Sequence, residues 1–202
     1  MKRGLKRIAI CVALALPPGA LLLNSCGDHT PPSTFNSADV MFLQMMVPHH
    51  GQGVRIARLA RDRAARPDVR TLAAAIETTQ ISEIKSMAGW LRSWRRPPTA
   101  PAGSHTAHGG MSMTSEAAIE RLGTTTGTPF ERDFLNMLIA HQDDALQMAR
   151  REIAAGTNPE AKNLADRVAR SRAAQITQML TLLRHQPRQR GRDWAEAARA
   201  RP

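Results

Sequence analysis

Tyrosine is absent from the 202-residue sequence, and with four Phe and three Trp the aromatics reach only 3%. That leaves no stacking platform of the kind single-stranded nucleic acids need, and no nucleic-acid-binding motif is present. Cysteine is nearly absent too: Cys11 and Cys26 are the only two, both at the N-terminal end, so the remainder has no disulfide and burial alone must hold it together. Several catalytic signatures are also missing. The chain has no Gly-x-Ser-x-Gly, no His-Glu-x-x-His and no cysteine nucleophile beyond residue 26. Nor does it contain a single Glu-x-x-His pair, which a carboxylate-bridged di-iron or di-manganese centre requires. An enzyme is not expected.

The N-terminus reads as an export signal. Lys2, Arg3, Lys6 and Arg7 form a basic segment, an apolar run from Ile8 to Leu23 is broken by Pro17-Pro18-Gly19, and Leu23-Asn24-Ser25-Cys26 closes it. The ending resembles a bacterial lipobox, which predicts cleavage before Cys26 and lipidation of Cys26. The alternative is an uncleaved membrane anchor, which so short and interrupted a run disfavours. Either way the domain lies outside the cytoplasm, in the cell envelope, with the membrane as a partner. The formal charge of +11 shrinks accordingly: without the four basic residues of the signal, 24 basic side chains stand against 17 acidic ones. Arginines such as Arg58, Arg61, Arg167, Arg170 and Arg172, and those of the tail, suit anionic lipid or plain solvation, and nucleic acid is not an expected partner.

What the sequence does have is a duplication. Shifting by 92 residues lays Phe42–Leu91 on Phe134–Leu183 without a gap, matching Phe42 with Phe134, Leu43 with Leu135, Met45 with Met137, His49 with His141, Ala57 with Ala149, Leu72 with Leu164 and Met87 with Met179. Each repeat carries two helical stripes. Ser37 is a candidate cap for the first helix, with Phe42, Met45 or Met46, His49, Gly53, Ile56 and Ala60 inward and Pro48 inside it; Pro67 opens the second, which runs to about Trp94. In the second repeat Thr128-Pro129-Phe130-Glu131 is a helix start, Gly156 a stop, and Asn158-Pro159-Glu160 a second start for a stripe of Leu164, Val168, Ile176, Met179, Leu180 and Leu183. The predicted fold is therefore all-α: a four-helix bundle of two duplicated helical hairpins. Its expected organisation is a signal at 1–26, a tether at 27–36 and the bundle at 37–186, with repeat 1 at about 37–95, a linker at 96–128 and repeat 2 at about 129–186. A basic tail at 187–202 follows. The linker is low in complexity, rich in Pro and Gly, with a short helix expected at about Ser115–Leu122.

Helical spacing puts Met45 one turn before His49, Met46 one turn before His50, and Met137 one turn before His141. Thioethers beside imidazoles select copper, Cu(I) above all, over hard ions. Taken singly, a methionine stripe is more often core filling, and a buried histidine more often hydrogen-bonded than ligating. The linker, however, adds His105, His108, Met111 and Met113, where no core needs them. The candidate ligands are thus His49, His50, Met45, Met46, His141 and Met148 in the bundle, with His105, His108, Met111 and Met113 as a second, mobile set.

Met46-Val47-Pro48-His49-His50 through Ile56-Ala57, then Gln80-Ile81-Ser82-Glu83-Ile84 through Met87, Trp90 and Leu91, resemble the exported bacterial family called domain of unknown function 305. Leu138-Ile139-Ala140-His141-Gln142 through Met148-Ala149, then Gln175-Ile176-Thr177-Gln178-Met179, repeat the pattern, so the resemblance covers about Ala38 to Leu183. It implies a ferritin-like four-helix fold and copper handling, which some members show. The departures are Gln142 for a second His, Gly53 and Ile56 for Ala and Met, Leu138 for Met and Gln175 for Glu; they remove candidate ligands. Two functions follow. One is an exported, membrane-tethered protein that sequesters or hands on copper; the other is a metal-free helical interaction module at the cell envelope, its histidines structural.

Overall fold

The structure is a computed structural model, described here for residues 34–100 and 113–185. Among them all regular structure is helical: α1 (Ser37–Arg63), α2 (Pro67–Ser93), α3 (Glu116–Thr124), α4 (Gly127–Ala155) and α5 (Pro159–Arg184). α1 pairs with α2 and α4 with α5 as antiparallel hairpins, and α1 lies along α4 to join them. The predicted signal, Cys26 and the basic tail fall outside the described residues.

Two helix starts differ from expectation. Asn36, not Ser37, caps α1: its side chain accepts from the N–H groups of Ala38 and Asp39 at 2.9 and 3.0 Å, and the Asp39 carboxylate accepts from the Asn36 N–H at 2.6 Å. The α4 cap position is Thr126 rather than Thr128, with Gly127 at φ 63° making the entry and no side-chain cap bond. Glu131 was expected to close a local capping box with Thr128. Instead it reaches across the bundle to accept the Arg66 N–H at 2.7 Å. A tertiary acceptor for an otherwise unpaired donor has outcompeted the local one.

That contact belongs to a pattern. Asp39 is the repeat-1 equivalent of Glu131, and Asn158 the repeat-2 equivalent of Arg66. Asp39 accepts the N–H of Asn158 at 2.9 Å and that of Thr157 at 3.1 Å. Each repeat therefore clamps the hairpin link of the other with a carboxylate from its first helix. Burial alone would raise the Asp39 pKa; the Glu152 carboxyl and the three backbone donors outweigh burial and hold it below the ordinary value.

Two apolar clusters obey the same 92-residue relation. One gathers Ile56, Leu72, Ile76, Phe130, Phe134, Leu135, Leu138 and Met179; the other gathers Phe42, Leu43, Met46, Met87, Leu91, Met148, Leu164 and Val168. α3 covers the first with Ile119 and Leu122. Leu180, expected inward, is 43% exposed, because Met179 takes the core position beside it. The end of the expected tether is held in place: Phe35 stacks on Trp94 at 4.5 Å between ring centroids. α1 runs unbroken through Pro48, whose ring nitrogen cannot return a hydrogen bond to the Gln44 carbonyl.

Candidate metal centre

Along α1 and α4 the two apolar clusters are separated by a layer of buried polar side chains. His49 from α1 and His141 from α4, equivalent under the duplication, lie face to face with ring centroids 3.8 Å apart and planes 13° from parallel. Both are buried. Neither His49 nitrogen has a hydrogen-bond partner, and neither has His141 Nε2; His141 Nδ1 is 3.3 Å from Thr114 Oγ1. Burial, with repulsion from His50 and Arg172, lowers the His141 pKa to about 3; burial, with His141, His50 and Arg172, puts that of His49 well below the ordinary value. Both rings are neutral at physiological pH. Each thus keeps a nitrogen lone pair buried from bulk solvent.

Gly53 makes this approach possible. A Cβ there would stand 2.3 Å from Gln80 Oε1 and 2.7 Å from His141 Nε2. The departure from alanine at this position is therefore a packing requirement of this chain's own polar layer.

Around the stacked pair sit two triads related by the duplication. His50 Nε2 lies 2.7 Å from Glu83 Oε2, and Arg172, fully buried, donates to the same carboxylate while its guanidinium lies 3.2 Å from His50 Nε2. Adding 92 to His50 and Glu83 gives Gln142 and Gln175; taking 92 from Arg172 gives Gln80. Those three glutamines are also bonded in series, Gln80 Nε2 to Gln142 Oε1 at 3.3 Å and Gln142 Nε2 to Gln175 Oε1. One half of the layer is an ion-paired triad and the other is its uncharged counterpart.

The first triad fixes a tautomer. A carboxylate only accepts and a guanidinium only donates, and Arg172 already serves Glu83, so the short contact makes Nε2–H of His50 the donor to Glu83. His50 Nδ1 then carries the lone pair, and it is the nitrogen without a partner. This is the carboxylate–histidine arrangement that orients metal ligands elsewhere. Burial lowers the His50 pKa despite Glu83. Burial alone would raise that of Glu83, but the His50 hydrogen bond and the Arg172 charge outweigh it and the net shift is downward.

The predicted ligands are thereby sorted. His49, His50 and His141 share the polar layer. Met46 is wholly buried in the second apolar cluster, its sulfur part of the packing; Met45 and Met148 border a cavity that no histidine lines. Met113 is 43% exposed, and His105, His108 and Met111 lie outside the described residues. Among the described residues no three His, Cys, Asp or Glu side chains are placed as a ready ligand set. Arg172 is a correction: it was grouped with the lipid-facing or solvated arginines, yet it is the largest fully buried side chain among the described residues. Its signal was the inward stripe Leu164, Val168, Arg172, Gln175, Met179, and its alignment with Gln80.

The family described as domain of unknown function (DUF305) matches residues 39–183. The chain belongs to the DUF305 family. A DUF305 fragment from Deinococcus radiodurans is similar at 31% identity, covering 76% of this chain and 98% of that one with a TM-score of 0.66. A DUF305 protein of Streptomyces coelicolor, assigned as secreted, has 32% identity over 73% of this chain and 92% of its own, TM-score 0.69. CopM in its Cu(II)-bound form has 34% identity, covers 72% of this chain and 95% of that one, and has a TM-score of 0.62; its Cu(I)-bound form has 29% and 0.61 over the same shares. No curated protein matches.

Proposed function

We propose that this DUF305 protein is an exported, lipid-tethered copper-binding protein that sequesters copper or hands it on, and that it acts by binding rather than by catalysis. The observation that carries the reading is the stacked His49–His141 pair: two buried, neutral imidazoles, equivalent in the two repeats, with no hydrogen-bond partner at either nitrogen of His49 or at Nε2 of His141. An unsatisfied buried polar group costs about 1–3 kcal/mol, a cost that a bound metal would remove. His50 Nδ1, oriented through Glu83, would be a third imidazole donor. Glu83 is occupied by Arg172 and His50, so the layer offers nitrogen donors without a free carboxylate, which favours copper over oxidised iron. CopM, similar over most of both chains, is known with Cu(I), Cu(II) and silver bound.

The test is a Cu(I) titration of the purified protein under a competing chelator. His49→Ala together with His141→Ala should weaken binding about 100-fold or more while leaving helical content unchanged, since preorganised ligands are lost. Unaltered affinity would refute the bundle site. The tether is tested by Cys26→Ser, which should move the protein from the membrane to the soluble fraction.

A second reading, a metal-free helical interaction module, draws support from the two triads, which satisfy most of their polar atoms without a metal. On that reading the double alanine variant changes apo stability alone.

A further inference from the structure

The duplication relates the two ends of the bundle, so each serves as a control for the other. At one end α1 and α5 begin and α2 and α4 finish. There Asn36 donates to the Ala155 carbonyl and to Thr157, Asn158 donates to the Thr34 carbonyl at 3.3 Å, and Phe35 stacks on Trp94. At the far end α1 and α5 finish and α2 and α4 begin, with Arg66 bonded to Glu131 and to the Leu182 carbonyl.

The far end is a mosaic of ion pairs: Arg58 and Arg61 meet Glu77, Arg61 also meets Asp62, and Arg132 meets Asp133. The first end keeps basic residues and loses those acids. The counterparts of Asp62, Glu77 and Asp133 are Ala154, Ala169 and Met41, so Arg150, the counterpart of Arg58, has an alanine where Arg58 has its carboxylate. The counterpart of Arg61 is Ile153, an apolar side chain that is 37% exposed. Exposed Arg92, Arg95 and Arg96 close α2 at this end, with Arg150 and Arg151 exposed on α4. Against them stand one exposed acid, Glu160, and two buried ones, Asp39 and Glu152; Asp166, further along α5, pairs with Arg170. Burial and the neighbouring Asp39 push the Glu152 pKa up to about 8, so it adds little negative charge at neutral pH. Aromatic side chains gather here too. Phe35, Trp90 and Trp94 are half-buried, the Arg96 guanidinium lies 5.7 Å from the Phe35 ring centre, and the far-end counterparts of the two tryptophans are Leu182 and Gln186.

We propose that this end, which carries Arg92, Arg95, Arg96 and Arg150 together with Phe35, Trp94 and Ile153, docks on the headgroups of an anionic lipid bilayer. Basic charge without compensating acids draws a surface to anionic lipid, and tryptophan beside it is favoured at headgroup level. Solvation accounts for exposed arginines but not for the exchange of acids for apolar groups at equivalent positions. Thr34, eight residues after Cys26, enters the bundle here, so a lipid on Cys26 would keep this end within roughly 27 Å of its bilayer even with the chain fully extended. The inference deepens the tether proposed above by naming the face that meets the membrane, and it rests on that reading only for what brings the protein to a bilayer.

The experiment uses the full chain with Cys26→Ser, so that no attached lipid contributes, and measures sedimentation with vesicles of phosphatidylcholine alone or mixed with phosphatidylglycerol. Each basic side chain near an anionic surface strengthens binding about five-fold. Replacing Arg92, Arg96 and Arg150 by Gln should therefore weaken binding to the mixed vesicles about 100-fold. Replacing Arg58, Arg61 and Arg132 by Gln removes the same charge from the far end and should weaken it less than about five-fold. Equal losses from the two variants would reduce the effect to net charge and overturn the proposal, as would equal binding to phosphatidylcholine alone. Insertion is read separately, with Cys11→Ser added. A polarity-sensitive dye attached through Ile153→Cys should shift to the blue on the mixed vesicles, and one attached through Arg61→Cys, at the equivalent position, should not. A dye at position 153 that stays unshifted, or equal shifts at both positions, would also overturn it. The tether is tested on the lipidatable chain by fractionation, so either reading can fail without the other.

Discussion

Arg172→Gln gives repeat 2 the residue that repeat 1 already has at Gln80, so the side chain is compatible with an equivalent position while the charge is lost. In the native layer Arg172 and His50 both bond Glu83, whose side chain is only 12% exposed. Removing one partner of a buried ion pair costs about 3–5 kcal/mol, because the remaining charge stays desolvated. A glutamine amide returns one hydrogen bond, worth about 1 kcal/mol. The expected net loss for the metal-free protein is therefore about 2–4 kcal/mol, a large fraction of a typical domain's stability. Glu83→Gln in the same chain removes the stranded charge and reproduces the amide pattern of Gln142, Gln175 and Gln80, so the double variant should recover most of that loss.

The assay is urea unfolding of the copper-free protein, followed by far-UV circular dichroism, in a double-mutant cycle over Arg172 and Glu83. The pH dependence has a definite sign. Glu83 is held below its ordinary pKa in the folded protein, so its contribution is present above the unfolded value and fades as pH falls through the folded one. Without Arg172 burial is offset by the His50 hydrogen bond alone, the carboxyl protonates more readily, and the deficit of Arg172→Gln should shrink as Glu83 titrates. An Arg172→Gln loss under about 0.5 kcal/mol, or a double variant no more stable than the sum of the singles, would show that the triad is not the coupled unit its geometry describes.

Gly53→Ala should be disruptive for so small a change, since its methyl would meet Gln80 Oε1 at 2.3 Å and His141 Nε2 at 2.7 Å; we expect a loss of about 1–3 kcal/mol in urea unfolding and a measurable fall in copper affinity, with no effect on either as the contrary result. Acid should destabilise the copper-free protein steeply. The folded pKa values of His49, His50 and His141 all lie below the unfolded one, so unfolding takes up protons, and stability is lost as pH falls below about 6.5, over a window that for His141 extends to about 3. Each such histidine contributes about 1.4 kcal/mol per pH unit within its window, so a curve no steeper than that of the His49→Ala and His141→Ala variant would refute the assignment of neutral buried rings.

The bundle was legible because its signals are periodic and doubled. Pro67, Gly156 and Asn158-Pro159 fixed the hairpin links, and the 92-residue shift predicted that His49 and His141 would be equivalent. What local rules misplaced, tertiary contacts explain. Glu131 looked like a capping-box residue for Thr128 but serves Arg66 across the bundle. Arg172 looked solvated because an isolated arginine almost never buries itself; only a buried carboxylate partner makes it tolerable, and that partner lies 89 residues away. The methionine and histidine ligands were grouped from spacing within α1. Spacing along one helix cannot say which facing helix receives a side chain, and the facing helices part Met46 from His49.

The asymmetry of the polar layer bears on which oxidation state of copper it would favour. Arg172 is felt at both stacked rings, where its positive charge is among the causes that depress the pKa values of His49 and His141. A group that resists a proton on those nitrogens by repulsion resists a metal cation there for the same reason, and Coulomb's law makes the penalty for a divalent ion twice that for a monovalent one at the same position. Glu83, paired with Arg172, offsets this in part. Had the second half kept a histidine and a carboxylate at Gln142 and Gln175, an additional negative charge would stand on the other flank; glutamines supply none. The histidine layer should accordingly prefer Cu(I) to Cu(II), and Arg172→Gln should narrow that preference by strengthening Cu(II) binding more than Cu(I) binding. Competition titrations with both ions, on the native protein and on the variant, measure the two ratios. A variant in which both affinities shift by the same factor would mean that Arg172 acts on the layer through packing and not through its charge.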